Sequence, residues 1–178
     1  MIDTLSPEEC KQLQNKFAAK KEKQSALWLA YEQGKCYGMA YLALWAVVED
    51  FAVHLGPMCL RLQLRRELTA WIEYLDDSSL KASPGKISAG KFDIPKGKTA
   101  KIPPDSQLQL ILPSEAAPNL YAVLATKKKF RDKRNAIAHS GEDVSERVYE
   151  EFKVTCLAAV AEIQAWLNSI NSSGARTA

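Results

Sequence analysis

The chain has 178 residues, of which 47% are hydrophobic and 25% are charged. This composition excludes a disordered chain, and the length predicts one domain over residues 1–178 with a sizeable core. The net charge of +3 is too small to identify a nucleic-acid-binding protein. Four scattered cysteines and two histidines exclude a zinc site with closely spaced ligands. We therefore expect a cytoplasmic protein with reduced thiols, no bound metal and no cofactor.

The positive charge is concentrated in two segments. Residues 81–101 and 127–134 each carry six cations and one anion, a net +5 in each, so the rest of the chain carries −7. Two basic surfaces on an acidic body are compatible with binding to a phosphate backbone. The lysines of 81–101 either hold RNA through its phosphates or only keep a loop soluble, and the sequence leaves both alternatives open.

The N-terminal third of the chain predicts two helices. Ser6-Pro7-Glu8-Glu9 is a helix start whose serine is the N-cap, and this helix is expected to run to Gln33. Cys36–Leu55 is apolar almost all round, which is typical of a central core helix, and Gly56-Pro57 is expected to end it. Its longest uncharged stretch, Cys36–Val48, is shorter than the roughly 20 residues that a bilayer requires.

A third helix, amphipathic, is predicted from Leu60 to Asp76-Asp77, because its apolar residues recur three and four positions apart. The character of the chain then changes. Residues 78–118 contain six of the eight prolines and three of the eight glycines, which excludes a long helix there. A segment of this length and composition predicts an insertion or a functional loop.

Within this segment the sequence suggests a β-hairpin. Leu108, Leu110 and Leu112 alternate with other residues, which predicts a short strand. Residues 86–94 are its expected hairpin partner.

Two further helices are predicted in the C-terminal part. One covers residues 120–139 and stops at Ser140-Gly141. The last helix is expected to open with Asp143 as its N-cap, and its apolar side chains then recur on one face. The small polar residues 172–178 are expected to be disordered.

The segment Arg134-Asn135-Ala136-Ile137-Ala138-His139 combines a cation, an amide and an imidazole near a helix end. At about 100° per residue, Arg131, Asn135 and His139 share one helix face, and Arg134 lies about 140° round from His139. An imidazole exchanges protons near neutral pH, and a guanidinium holds a phosphate through two parallel hydrogen bonds. Asn135 can orient the ring or bind the substrate. These groups suffice for phosphodiester cleavage without a metal.

A plainer interpretation is that His139 only caps the helix and complements its dipole. A resemblance favours the chemical interpretation. The segment Arg134 to His139, followed by Ser140-Gly141 and a long amphipathic helix, resembles the signature of the HEPN superfamily, which is an Arg, often followed by Asn, a few residues before a His. The likeness covers residues 7–77 and 119–170, and the segment between them lies outside it.

The resemblance implies an all-α fold, an antiparallel helical bundle that dimerises so that two Arg/His motifs face one cleft. It implies a metal-independent endoribonuclease of toxin–antitoxin or anti-phage defence systems, in which the 2′-hydroxyl attacks the adjacent phosphorus and leaves a cyclic phosphate. By position, His139 is the proton-transfer group, Arg134 holds the phosphate and Asn135 is the orienting group. The implied partners are RNA, a second copy of the chain, and an antitoxin or another defence protein.

Other residues are expected to support this site. Family members often place a polar residue of an early helix against the motif, and Glu49 is the first candidate for that position and Asp50 the second. Arg131 is a second cation on the face of His139, and Ser140 adjoins His139. The expected RNA-binding cations are Lys127, Lys128, Lys129 and Lys133.

Two functions of different kinds remain open. The first is the dimeric ribonuclease, and the second is a non-catalytic HEPN-like module that binds nucleotides or RNA or docks onto a partner protein. The intact Arg-Asn and His favour the first. One subgroup of the family carries a modifiable tyrosine two residues after the histidine, where this chain has Gly141, so regulation of that kind is not expected.

Overall fold

The computed structural model describes residues 5–76, 102–124 and 129–174. These residues are mostly helical and contain no strand, which confirms the all-α prediction for this part of the chain. The helices are α1 (Pro7–Gln33), α2 (Tyr37–Asp76), α3 (Asp105–Leu108), α4 (Pro118–Leu124), α5 (Lys129–Ser140) and α6 (Glu146–Gly174).

Helix α1 begins and ends where the sequence predicts. The Glu9 amide donates to Ser6 Oγ at 3.2 Å, and the Ser6 amide donates to Glu9 Oε2 at 2.9 Å. This reciprocal pair satisfies two amides that a helix start leaves without partners. After Gln33 the chain turns through Lys35, whose φ of 55° lies in the left-handed region, and enters α2.

Helix α2 is one continuous helix, so the predicted end at Gly56-Pro57 is wrong. A proline inside a helix removes one backbone hydrogen bond and costs roughly 3 kcal/mol. The cost is offset here because Leu55 and Cys59, on either side of the proline, are fully buried. Pro57 itself lies on the exposed side of the helix, where water can solvate the carbonyl that lost its partner.

Helices α1 and α2 run antiparallel, as three cross-helix contacts show. Arg61 binds Glu9, Phe51 meets Phe17 edge-on at 5.6 Å between ring centroids, and Asp50 meets Lys20. Position along α2 therefore decreases as position along α1 increases.

Helix α6 completes the core with aromatic side chains. The Phe152 ring stacks on Tyr41 at 3.6 Å between centroids and also contacts Trp45 and Phe130. A second cluster joins Phe51 to Trp166 at 6.0 Å. These clusters tie α2, α5 and α6 together, because aromatic pairs bury large areas.

The strand predicted around Leu108 is wrong. Leu108 ends α3, and turns follow over residues 109–111. Leu108, Ile111 and Leu112 are all buried, and their spacing of three and one is that of a helical turn. The alternation read from the sequence ignored Ile111, which is as apolar as its neighbours.

The C-terminal part of the predicted insertion packs into the core. Within residues 102–117, four apolar side chains are buried in the core, namely Leu108, Ile111, Leu112 and Ala117. The Gln107 amide nitrogen also donates to Gln63 of α2. The proposed hairpin partner, 86–94, lies outside the described residues.

The single helix predicted over 120–139 is described as two helices, α4 and α5, with residues 125–128 outside the described part. A carboxylate from another helix caps α4. Glu162 of α6 accepts hydrogen bonds from the amides of Asn119 and Leu120 at 3.1 and 2.9 Å. Negative charge at a helix N-terminus is stabilising, so this contact fixes α4 on α6.

Helix α6 starts later and ends later than predicted. Its first hydrogen bond runs from the Tyr149 amide to the Ser145 carbonyl at 3.0 Å. Ser145, and not Asp143, therefore occupies the N-cap position, and Asp143 lies in the preceding loop. At the other end the helix continues to Gly174, and the rest of the tail that was expected to be disordered, 175–178, lies outside the described residues.

Helix α2 also has the length and composition of a membrane-crossing helix over Tyr37–Ala70. Half of its most apolar window is buried inside the protein. Central core helices meet the same criteria, and the aromatic packing against α6 accounts for the apolar surface on that side.

Candidate functional site

Helix α5 is fixed to the bundle by its apolar side. Ile137 is buried, and Phe130 packs against the core. The Tyr41 hydroxyl of α2 donates to the Phe130 carbonyl at 2.7 Å. Burial raises the pKa of Tyr41, so this hydroxyl stays a neutral donor. The first turn of α5 is thus fixed by apolar packing and by one long-range hydrogen bond.

The C-terminal end of α5 is closed by a glycine. Gly141 has a φ of 64°, a conformation that glycine adopts without steric cost, and a Cβ there would meet nothing within 4 Å. Its amide donates to the Ile137 carbonyl at 3.2 Å, and the Glu142 amide donates to the Ala136 carbonyl at 3.3 Å. Because backbone amides already cap this end, the side chain of His139 is not required to do so.

Arg134 is held by a carboxylate of α2. One guanidinium nitrogen, Nη2, donates to both carboxylate oxygens of Glu49, at 2.8 and 3.0 Å. Both side chains are about three-quarters buried, with exposures of 25% and 29%. Such charge-assisted hydrogen bonds are stronger than neutral ones, so the direction of the guanidinium is set by α2. The structure thus brings together Arg134 and Glu49, the first of the two candidates for support.

Asn135 belongs to the same group of contacts. Its Oδ1 accepts a hydrogen bond from Arg134 Nη1 at 3.0 Å. The amide is therefore engaged with Arg134, and its NH2 group remains on the exposed side of the helix. In this arrangement Asn135 helps to orient the arginine rather than the imidazole.

His139 and Ser140 lie at the exposed end of α5. Within residues 5–76, 102–124 and 129–174 neither side chain has a hydrogen-bond or ion-pair partner. Arg131 is half-buried and likewise has no ion pair to the described residues. The imidazole is therefore open to solvent and to any molecule that approaches this end of the helix.

Asp50, the second candidate for support, is directed away from the motif. Its carboxylate lies 3.4 Å from Lys20 of α1 and 3.4 Å from His54 Nδ1. His54 Nδ1 is also 2.7 Å from the backbone carbonyl of Asp50. The structure therefore joins Asp50 to α1, while the adjacent Glu49 faces α5.

The expected RNA-binding cations have acidic neighbours where they are described. Lys129 pairs with Glu151 of α6, and Lys133 pairs with Glu142 of the loop before α6. Lys127 and Lys128 lie outside the described residues. Of the described cations of α5, only Arg131 is left without a carboxylate, so the positive charge of this helix is largely compensated.

The acidic partners of the two lysines were missed in the sequence, because Glu142 and Glu151 look like ordinary exposed loop and helix residues. Glu49, 85 positions from Arg134, was expected only through the family resemblance. Only the pair Asp50 and His54 carries a local signal, because four positions on a helix place two side chains on one face.

A shallow cleft of about 480 Å³ opens on the other side of α5. Its walls are the start of α2 and the connection from α5 to α6, and its floor is apolar. It is lined by residues that include Tyr37, Met39, Leu42, Ile137 and Val144. Arg134 and His139 do not line it, so this cleft is separate from the motif.

Comparison with protein-family models, curated proteins and solved structures gives no match for the chain.

Proposed function

We propose that the protein is a metal-independent endoribonuclease of the HEPN type, built as an antiparallel helical bundle. One observation carries the proposal: Arg134 is oriented by Glu49 and Asn135, while His139, five residues later on the same short helix, faces solvent. A positioned guanidinium can stabilise the charge that develops on the phosphate, and an accessible imidazole can transfer the proton, so the two groups can support RNA cleavage without a metal.

In the proposed reaction His139 removes the proton from a ribose 2′-hydroxyl, and that oxygen attacks the adjacent phosphorus. The bond from phosphorus to the 5′-oxygen breaks, which leaves a 2′,3′-cyclic phosphate and a 5′-hydroxyl. The leaving 5′-oxygen takes up a proton from water, and the imidazolium of His139 then gives its proton back to the solvent, so that atoms and charges balance. Arg134 donates hydrogen bonds to the phosphate oxygens, whose negative charge increases in the transition state. Asn135 holds the guanidinium in place for this.

The site is proposed to be shared between two copies of the chain. Arg134 is directed inward to α2, and His139 is directed outward on the opposite side of α5. In a two-fold dimer the imidazole of one subunit can approach a phosphate held by the other subunit's arginine, because both contributions are repeated by symmetry. An antitoxin or another defence protein that covers His139 would regulate such a cytoplasmic enzyme.

The second candidate function is a non-catalytic HEPN-like module that binds RNA or nucleotides or docks onto a protein. The ion pairs favour this second function, because a cation that is paired with a carboxylate of the same chain can serve the fold alone. Such pairs are formed by Lys129, Lys133 and Arg134. These pairs are partly exposed, and pairs of this kind are worth at most about 1 kcal/mol each, so a phosphate can replace the carboxylate.

The deciding experiment is RNA cleavage in EDTA by the wild type, Arg134→Ala and His139→Ala. His54→Ala is the matched control, since His54 is the other of the two histidines and lies on α2. We expect cleavage by the wild type and by His54→Ala and none by the other two. Cleavage that persists in both motif variants, or that chelation abolishes, would refute the mechanism. A wild type that binds but never cuts single-stranded and structured RNAs would support the non-catalytic module.

A further inference from the structure

The outward side of α2 forms a strip between α1 and α5. Its residues Ala46, Glu49, Asp50 and Val53 are all partly exposed, whereas the residues between them are buried, namely Val47, Val48, Phe51 and Ala52. At about 100° per residue, these four positions lie on one side of the helix. We call them the α2 strip.

Cations from two helices meet this strip from opposite sides. Lys20 of α1 lies 3.4 Å from Asp50, and Arg134 of α5 lies 2.8 Å from Glu49. Consecutive helical residues point about 100° apart, so the two carboxylates reach to different flanks of α2. The strip therefore lies between α1 and α5, and we call the surface that these three helices form here the groove, with the strip as its floor and α1 and α5 as its two walls.

The wall on α1 carries a row of lysines. Lys16, Lys20 and Lys23 are spaced by four and three positions, which places them along one edge of the helix. Lys16 and Lys23 are exposed and form no ion pair with the described residues. Lys11 and Lys21 lie on the other edge of the same helix, because they are offset by more than 90° from this row.

The wall on α5 also carries cations along one edge of its helix. Arg131 precedes Arg134 by three positions and so shares its edge. The two walls together bring five cations to the groove, and its floor has two carboxylates, each already in contact with one cation. A surplus of three positive charges remains, unlike the opposite edge of α5, where Lys133 is compensated by Glu142.

We propose that the RNA strand held by Arg134 continues across the α2 strip onto the lysine row of α1, where Lys16, Lys20 and Lys23 bind its phosphates. The inference rests on the proposed ribonuclease function and extends its substrate-binding surface to a helix far from the motif in sequence. Phosphate contacts by lysine fix the path of the strand and carry no sequence information. The row therefore contributes to RNA affinity and not to the chemical step.

The test compares two double variants with equal charge. Lys16→Ala/Lys23→Ala removes two cations of the row, and Lys11→Ala/Lys21→Ala removes two from the other edge of α1. Binding of a labelled single-stranded RNA is measured as a function of salt with each double variant carried in the His139→Ala background, which cannot cleave. Removal of two phosphate contacts should lower the slope of log affinity against log salt by about 1.4 and the affinity by about tenfold. The control double should change neither.

Cleavage by the two double variants with His139 intact supplies the second readout. For Lys16→Ala/Lys23→Ala we expect a KM about tenfold higher and an unchanged kcat, as loss of uniform binding requires. Equal salt slopes for the two doubles, with an active wild type, overturn the inference and leave the ribonuclease function intact. A wild type that neither binds nor cleaves RNA overturns both.

Discussion

The two ends of the motif on α5 differ in how the protein holds them. Arg134 is three-quarters buried and contacts Glu49 and Asn135, whereas His139 is exposed and has no partner among the described residues. The arginine is therefore positioned before any substrate binds, because its side chain loses its conformational freedom already when the protein folds. The histidine has no such support, and its orientation depends on what binds next to it. A phosphate-holding group gains from fixed geometry, while a proton-transfer group must reach solvent and substrate.

The largest effect is expected at the unsupported end. His139→Ala should lower the rate of RNA cleavage by about 10²–10⁴-fold, since a general acid–base group contributes that much. Because His139 is exposed and forms no hydrogen bond or ion pair with the described residues, the melting temperature should stay unchanged. Cleavage assays and thermal unfolding check both statements, and a large loss of stability would show that His139 is a structural residue.

Arg134→Ala should act on both activity and stability. Loss of a group that stabilises a developing negative charge lowers kcat by about 10²–10³-fold. The variant also leaves Glu49, which is three-quarters buried, without its cation, and this should cost up to about 1 kcal/mol of unfolding free energy. Denaturant unfolding measures the second effect. An Arg134→Ala protein that loses stability but cleaves normally would contradict a catalytic role for this arginine.

The substitution Glu49→Gln tests whether the carboxylate of Glu49 positions Arg134, while Arg134 itself is kept. Glutamine keeps one acceptor oxygen but no charge, so the guanidinium is held less firmly to α2, and we expect kcat to fall about tenfold, as loss of a charge-assisted hydrogen bond predicts. Glu142→Gln is the matched control, because it frees Lys133 on the other edge of α5 in the same way. Equal kcat values for the two variants would mean that Glu49 does not position Arg134. A faster Glu49→Gln enzyme would show that the carboxylate competes with the substrate phosphate.

Tyr41→Phe should have the smallest effect on cleavage, because it changes only the attachment of the first turn of α5 to α2. It removes the hydrogen bond to the Phe130 carbonyl and should cost about 0.5–1.5 kcal/mol of stability. Tyr121→Phe removes a similar bond, to the Leu112 carbonyl at 2.8 Å, in which no residue of α5 takes part. Both variants should melt earlier, and only Tyr41→Phe should also reduce cleavage. Equal cleavage by the two would mean that the position of α5 does not depend on this bond.

The comparison also separates what the sequence could predict from what it could not. The start of α1 was predictable because the bonds between Ser6 and Glu9 are local, and the motif was visible because its residues lie within one helix. The continuity of α2 past Pro57 was not, since it depends on the burial of Leu55 and Cys59 by other helices. At Pro57 the tertiary packing of α2 outweighs the local tendency of proline to end a helix.

The same limit applies to the candidate site. The sequence suggested Glu49 and Asp50 together, and nothing local distinguishes two adjacent carboxylates. Their different partners follow from the rotation of α2, which turns Glu49 to α5 and Asp50 to α1. The packing of residues 102–117 into the core was hidden for a similar reason, because prolines mask short helical turns.

The central claim is that Arg134 and His139 are two parts of a site shared by two subunits. The most direct measurement mixes Arg134→Ala with His139→Ala after mild dissociation and assays RNA cleavage in EDTA. In a two-fold dimer each mixed pair contains one intact site, so activity should recover to roughly a quarter of the wild-type value, although each parent is inactive alone. A mixture that forms mixed dimers but stays as inactive as its parents would contradict the claim.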